Sequence, residues 1–253
     1  MTFALCCWML SGAVVGGQNA VPCEPRATES HVEAGQDGQG SETGACTGVI
    51  MPDDRPCQAT HCGHPLSPEQ QALLDTHYWD EWVAGSVAVW VSVDDQVLRI
   101  IRDHTIIWAA PCATAAKGTG FSMNSLKTPL GWHSVKTKVG DEAPWGQVFR
   151  GAQPTKEIWK PGEKTDEDLV LTRLLWLTGE EPGVNQGNNV DSYQRCIYIH
   201  GTNDEARIGT PSSHGCIRLR NDDVIAAYSL IPKGARVLIT VRDKPEKEGL
   251  AER

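Results

Sequence analysis

This 253-residue chain has no excess of positive charge: 23 Lys and Arg stand against 32 Asp and Glu, for a formal net charge of −9. Without a basic stripe to neutralise phosphates, nucleic acid is excluded as a partner. No polybasic patch offers a hold on an anionic membrane surface. A long hydrophobic run is also lacking. The apolar stretch at residues 3–17 is too short to span a bilayer comfortably. It suits instead the apolar core of a secretory signal within residues 1–20, although no Lys or Arg precedes it. Export is therefore expected, with no stable membrane span in the mature chain. A recognisable zinc pattern is missing too. Cys57, His61, Cys62 and His64 crowd together, but no second ligand pair follows at zinc-site spacing. No metal is expected.

Cysteine, by contrast, is plentiful, with nine residues. Cys6 and Cys7 fall inside the apolar run, and Cys23, Cys46, Cys57 and Cys62 all precede residue 70. In an exported protein these can form disulfides, leaving Cys216 as a free thiol. Residues 21–66 are rich in Gly, Pro, Ser, Thr and acidic residues with no apolar period, which predicts a flexible, Cys-containing arm. Ser67-Pro68-Glu69 then opens a helix over 67–85, with serine at the N-cap and proline at the first helical position. Leu73, Leu74, His77, Tyr78 and Trp82 give it an apolar face, expected to pack on the domain that follows.

From Val87 the hydrophobic period changes to two. Residues 87–93, 96–102 and 105–114 read as strands, with Asp94-Asp95 as a turn. Thr128-Pro129-Leu130-Gly131 predicts a turn, and Trp132 to Val139 another strand. Residues 140–195 are the least regular part. There the run Leu169 to Leu177 fits a buried strand or a short helix, and strand is favoured. Asn221-Asp222-Asp223 is expected to cap a helix through Leu230, and residues 235–241 close the domain as a strand. The fold class expected is mainly β: a mixed β-sheet sandwich with a few short helices over residues 86–242, followed by a charged tail at 243–253.

Two linked blocks carry the chemistry: Ile197-Tyr198-Ile199-His200-Gly201-Thr202, then Ser213-His214-Gly215-Cys216-Ile217-Arg218-Leu219. A thiol is a strong nucleophile only as its thiolate, and a neighbouring imidazole can take its proton. Attack on a carbonyl creates an oxyanion, which backbone N–H groups can receive. Gly215, next to the sulfur, allows close backbone approach. Cys216 is therefore the candidate nucleophile, His200 the candidate base, and His214 an alternative or supporting one. The N–H groups of Gly215 and Cys216 are candidate oxyanion donors, and Ser213 a hydrogen-bonding partner within the loop. Arg218 can pair with a carboxylate, either on a substrate or on Asp222 or Asp223. Strand alternation places Cys196, Tyr198 and His200 on one face. The plainer alternative makes Cys216 a small buried hydrophobe and the histidines satisfied core residues.

These blocks resemble the signature of the L,D-transpeptidase (YkuD-type) catalytic domain, in the Gram-negative form of that family. The resemblance covers roughly residues 87–242 and is strongest over 197–219. It implies a cysteine acyl-enzyme, with the Gly201 carbonyl orienting His200. The substrate implied is peptidoglycan: attack on the bond between residues 3 and 4 of a tetrapeptide stem, release of D-alanine, and transfer of the acyl group to an amine. Periplasmic or cell-wall localisation follows, and no cofactor is implied. Trp145, Trp159 and Trp176 would be candidates to line the cleft. Pro111-Cys112-Ala113-Thr114 departs from the family, which often has Ser-Thr-Gly there. Hydrolysis by the same thiol, or a wall-binding module without activity, are the competing readings. Oligomeric state is not legible.

Overall fold

The computed structural model describes residues 63–77 and 86–241. The proposed signal at 1–20, nearly all of the arm, residues 78–85 and the tail at 243–253 lie outside the described residues. So do Cys57, His61 and Cys62. Among the described residues, no helix is long and apolar enough to cross a membrane.

The chain opens with the two-residue strand β1 (His64–Pro65) and helix α1 (Pro68–Asp75). Ser67 caps α1 in a reciprocal box: its hydroxyl accepts from Gln70 N–H, and the Gln70 side chain accepts from Ser67 N–H. The described helix ends at Asp75, capped by Thr76, well short of the expected residue 85. Three strands follow, β2 (Val87–Ser92), β3 (Val97–Arg102) and β4 (Thr105–Pro111). Arg102 pairs with Thr105 across Asp103 and His104, both at positive φ, as a two-residue hairpin turn requires. Next come β5 (Gly131–Val139), β6 (Gln147–Arg150), β7 (Gln153–Ile158) and β8 (Val170–Gly179). β9 (Tyr198–Gly201), β10 (Ile217–Leu219), α2 (Asn221–Leu230) and β11 (Arg236–Thr240) complete the domain.

Among the described residues, all eleven strands belong to one mixed sheet, whose main path runs β1-β4-β3-β2-β11-β5-β8-β6-β7. It branches at β8, which also pairs with β9, and β9 in turn pairs parallel with β10. Mainly-β architecture with few helices is as expected. β2 is buried on both faces. Val89 and Val91 enter the main core with Ile199, Ile217 and Val224, whereas Ala88 and Trp90 pack on the other side around Leu74 of α1. That explains its nearly unbroken apolar sequence. It also explains what fastens α1 to the domain: Leu74 is fully buried, and losing such a side chain typically costs about 2–5 kcal/mol.

Two further expectations are corrected. Residues 140–195 are more regular than their sequence suggests, because they hold the β6–β7 hairpin. Its turn is Gly151-Ala152, both at φ 58. β7 is an exposed edge strand, so it has no buried face and no apolar alternation to read. The second correction concerns α2. Arg220 occupies its N-cap without a side-chain cap bond, and Asn221 is the first helical residue. The Asn221 side chain is buried and bonded elsewhere. The run from Leu169 is indeed a strand.

Candidate active site

β9 and β10 run side by side, with Arg218 opposite His200 and Ile217 opposite Ile199. Alternation along β9 puts Tyr198 and His200 on one face, and their rings meet edge to face at 6.5 Å. Cys216 sits in the bend immediately before β10, two residues before Arg218, and packs against the cluster that holds Tyr198. Its sulfur accepts from Tyr198 N–H at 3.4 Å and donates to the Cys196 carbonyl at 3.3 Å. Cys196 itself lies just outside β9, at φ 55, not in the regular strand. His200 is buried, with Nδ1 2.7 Å from the Gly201 carbonyl oxygen. The thiol and the imidazole thus share a strand edge, but each makes its hydrogen bonds to backbone rather than to the other.

Glycine is required at both candidate positions. Gly215 sits at φ 133, and a Cβ there would press on the Lys127 carbonyl oxygen at 3.3 Å. At Gly201 a Cβ would collide with Asn221 Oδ1 and the Leu171 carbonyl oxygen. Ser213 ties the turn: its hydroxyl donates to the Cys216 carbonyl at 2.6 Å and accepts from Gly215 N–H at 3.2 Å. The Gly215 N–H is therefore already committed within the loop.

His214 points outward, 64% exposed, with Nδ1 2.7 Å from Asp168 Oδ2. The same carboxylate oxygen takes the Arg218 guanidinium, whose other terminal nitrogen lies 3.3 Å from Asp204. Arg218 is thus buried between Asp168 and Asp204, not beside Asp222 or Asp223. Asp222 instead accepts from Trp145 Nε1 at 3.0 Å. Asp168, Asp204, His214 and Arg218, together with Lys164 and Arg207, line a cavity of about 510 Å³. A neighbouring cavity of about 330 Å³ reaches Trp159. Trp145 stacks on Trp159 at 5.8 Å, while Trp176 is buried against Tyr193 and Tyr198 and lines neither cavity.

Burial dominates the electrostatics. Although Cys216 is only partly covered at its surface, burial of the sulfur pushes the thiol up to about 12; the Tyr198 N–H bond opposes this, and Asp168 adds to it. Burial pushes His200 down to about 4, against the pull of Asp168 and the Gly201 bond. Asp168 behaves oppositely: burial raises its pKa, but His200, Arg218 and the bonds from His214 and Arg218 outweigh that and hold it below the ordinary value. Burial thus favours the neutral form of both the Cys216 thiol and the His200 imidazole, while Asp168 is held toward its charged form.

Sequence reading missed three residues. Asp168 and Asp204 are ordinary acidic loop residues, and nothing local marks them as partners of Arg218. Arg195 is the third. Its guanidinium holds the carbonyls of Gly120 and Lys127 at 3.2 and 2.6 Å, and its charge acts to lower the Cys216 pKa. It thereby clamps the loop before Thr128 against the Gly215–Cys216 turn, where Thr128 Oγ1 donates to the Gly215 carbonyl at 3.0 Å. Cys112, where the family resemblance breaks, is fully buried and pushed up to about 12 by that burial.

A family model for the L,D-transpeptidase catalytic domain, YkuD, matches residues 86–239. The probable L,D-transpeptidase ErfK/SrfK of Salmonella typhimurium is 49% identical over 128 residues, 51% of this chain and 37% of that protein. The putative L,D-transpeptidase YqjB of Bacillus subtilis is 55% identical over 46 residues, 18% of this chain and 26% of that protein. The matches thus span well under half of these curated relatives. Among solved structures, an L,D-transpeptidase from Mycobacterium smegmatis aligns with a TM-score of 0.36 at 15% identity, over 61% of this chain and 58% of that one.

Proposed function

Because this chain belongs to the L,D-transpeptidase catalytic-domain (YkuD) family, we propose that it is a cysteine acyltransferase acting on peptidoglycan stem peptides, with Cys216 as nucleophile and His200 as base. The observation that supports the reading is that the Cys216 sulfur meets the Tyr198 N–H of β9, the strand that also carries His200, whose Nδ1 is engaged by the Gly201 carbonyl. That bond keeps the proton on Nδ1 and leaves Nε2 as the basic nitrogen.

With the thiol near 12 and the imidazole near 4, no preformed ion pair is available at neutral pH. Proton transfer from sulfur to Nε2 accompanies attack on the carbonyl of stem residue 3. The C–S bond forms, and the carbonyl electrons move to oxygen. The Cys216 N–H serves that oxyanion, since the Gly215 N–H is held by Ser213. Collapse breaks the C–N bond to residue 4, and the imidazolium gives its proton to the departing D-alanine amine. An acceptor amine then attacks the thioester, loses a proton to His200, and frees Cys216. His214 orients Asp168, and Arg218 is held by two carboxylates. Arg218 therefore organises the polar wall of the cavity rather than offering a free cation to substrate. Work on the cell wall requires export to the periplasm or beyond, as the apolar run at 3–17 suggests.

The test is intact-protein mass spectrometry of the full chain with a disaccharide-tetrapeptide and, separately, a carbapenem. A covalent adduct on Cys216, absent in Cys216→Ala, is expected. Amide-linked product with free D-alanine supports transfer, whereas free tripeptide would make the protein a hydrolase. A folded, reduced chain that forms no adduct with either reagent would overturn the assignment in favour of an inactive wall-binding module.

A further inference from the structure

β8 does not pair evenly with β9. Leu171 faces Gly201 and Leu174 faces His200, so Thr172 and Arg173 bulge out beside the segment that holds the imidazole. Thr172 is completely buried and adopts φ 69. For a β-branched residue the left-handed region is costly, and such a conformation persists only where its surroundings over-determine it. Here they do. Thr172 Oγ1 accepts from Gly146 N–H at 3.0 Å and donates to Asn221 Oδ1 at 2.5 Å. Arg173 grips the bulge by donating to the Thr172 and Ala143 carbonyls at 2.7 and 2.6 Å.

Asn221, also completely buried, links the bulge to the end of β9. Its Nδ2 donates to the Thr202 carbonyl at 2.8 Å and to Glu205 Oε1 at 2.7 Å. Its Oδ1 fills the space that a Cβ on Gly201 would need. The side chain therefore lies against the Gly201–Thr202 peptide, and the Gly201 carbonyl is the group that engages His200 Nδ1. All of its amide hydrogens and its carbonyl are used, so it has one orientation.

We propose that Thr172 and Asn221 are positioning residues that fix the Gly201 carbonyl and so keep His200 protonated at Nδ1 and basic at Nε2. This rests on His200 being the base; the acylation readout below also rests on Cys216 being the nucleophile, whereas the tautomer readout does not. The strained bulge is the device that brings a hydroxyl to Asn221 from the neighbouring strand; an unbulged β8 would turn that side chain to another position.

Thr172→Val keeps the shape and removes the hydroxyl, while Thr172→Ser keeps the hydroxyl. The first-order acylation rate at saturating carbapenem should fall about tenfold to a hundredfold in Thr172→Val and recover in Thr172→Ser. In ¹⁵N-histidine NMR, with His200 assigned through His200→Gln, Thr172→Val should lose the single Nδ1–H tautomer that the parent protein and Thr172→Ser keep. If Thr172→Val does not fold, Asn221→Ser is read the same way. A folded variant with lower stability but unchanged tautomer and acylation rate would overturn the proposal. The tautomer is read on His200 itself, so it stands even if Cys216→Ala were to keep its activity.

Discussion

Asp168 and Arg218, 50 residues apart in the chain, form the ion pair around which the polar side of the site is built. Asp168 acts on both Cys216 and His200, raising the thiol and the imidazole alike. Asp168→Asn should therefore separate two properties. Without the negative charge, Cys216 ionises more readily, and its alkylation by iodoacetamide at pH 9 should quicken. His200 becomes a weaker base, so acylation by a carbapenem at pH 7 should slow. Rates that moved in the same direction would count against this arrangement.

The resting charge state gives a second expectation. Since the thiol lies near 12, the thiolate fraction at Cys216 should rise tenfold per pH unit from 7 to 9 without levelling. Alkylation rates followed across that range would report it. A plateau below pH 7 would mean a preformed thiolate–imidazolium pair instead.

Arg195 should matter through both charge and geometry. Arg195→Ala removes a cation that favours the thiolate and frees the loop carbonyls of Gly120 and Lys127. Slower alkylation of Cys216 and faster proteolysis of the 118–128 loop are expected. Arg195→Lys keeps the charge but cannot span both carbonyls with a rigid fork. It should restore the alkylation rate more fully than the protease resistance. Equal recovery of both would argue that charge alone is at work.

Acid should weaken the fold. Buried His133 and His200 are both pushed down to about 4, so the unfolded chain binds more protons than the native one between the ordinary histidine value and pH 4. Their stabilising contribution is complete above pH 6.5 and is lost as pH falls through 4, on the order of 3 kcal/mol for each. Asp223 opposes this, because burial raises it to about 6 and its stabilisation is present below the ordinary carboxylate value and lost as pH rises through 6. The net effect should still be a falling urea midpoint from pH 7 to pH 4. A midpoint that stayed level over that range would contradict two neutral buried imidazoles.

Much of the framework was legible because it rests on local rules. Ser67 and Pro68 announced the start of α1 through capping chemistry. The period-two run from Val87 announced β2 to β4, and the His200 and Cys216 blocks announced the candidate chemistry. The β6–β7 hairpin was hidden for an equally local reason: an exposed edge strand such as β7 needs no apolar alternation, and Ala152 is not a residue that signals a left-handed turn. The end of α1 was misjudged because apolar residues continue at helical spacing beyond Asp75.

The sequence by itself determined most of the elements and marked which residues are candidates to react. It did so because hydrogen-bonding caps, alternation and glycine conformations act over a few neighbouring positions. Only the tertiary structure decided what surrounds those groups. Asp168 reaches His214 across 46 residues, Arg195 reaches Lys127 across 68, and Thr172 reaches Asn221 across 49. Such partners are chosen by strand pairing and by the bulge in β8. The shifts of Cys216 and His200 likewise come from burial, which is a property of the assembled sheet and of no single segment.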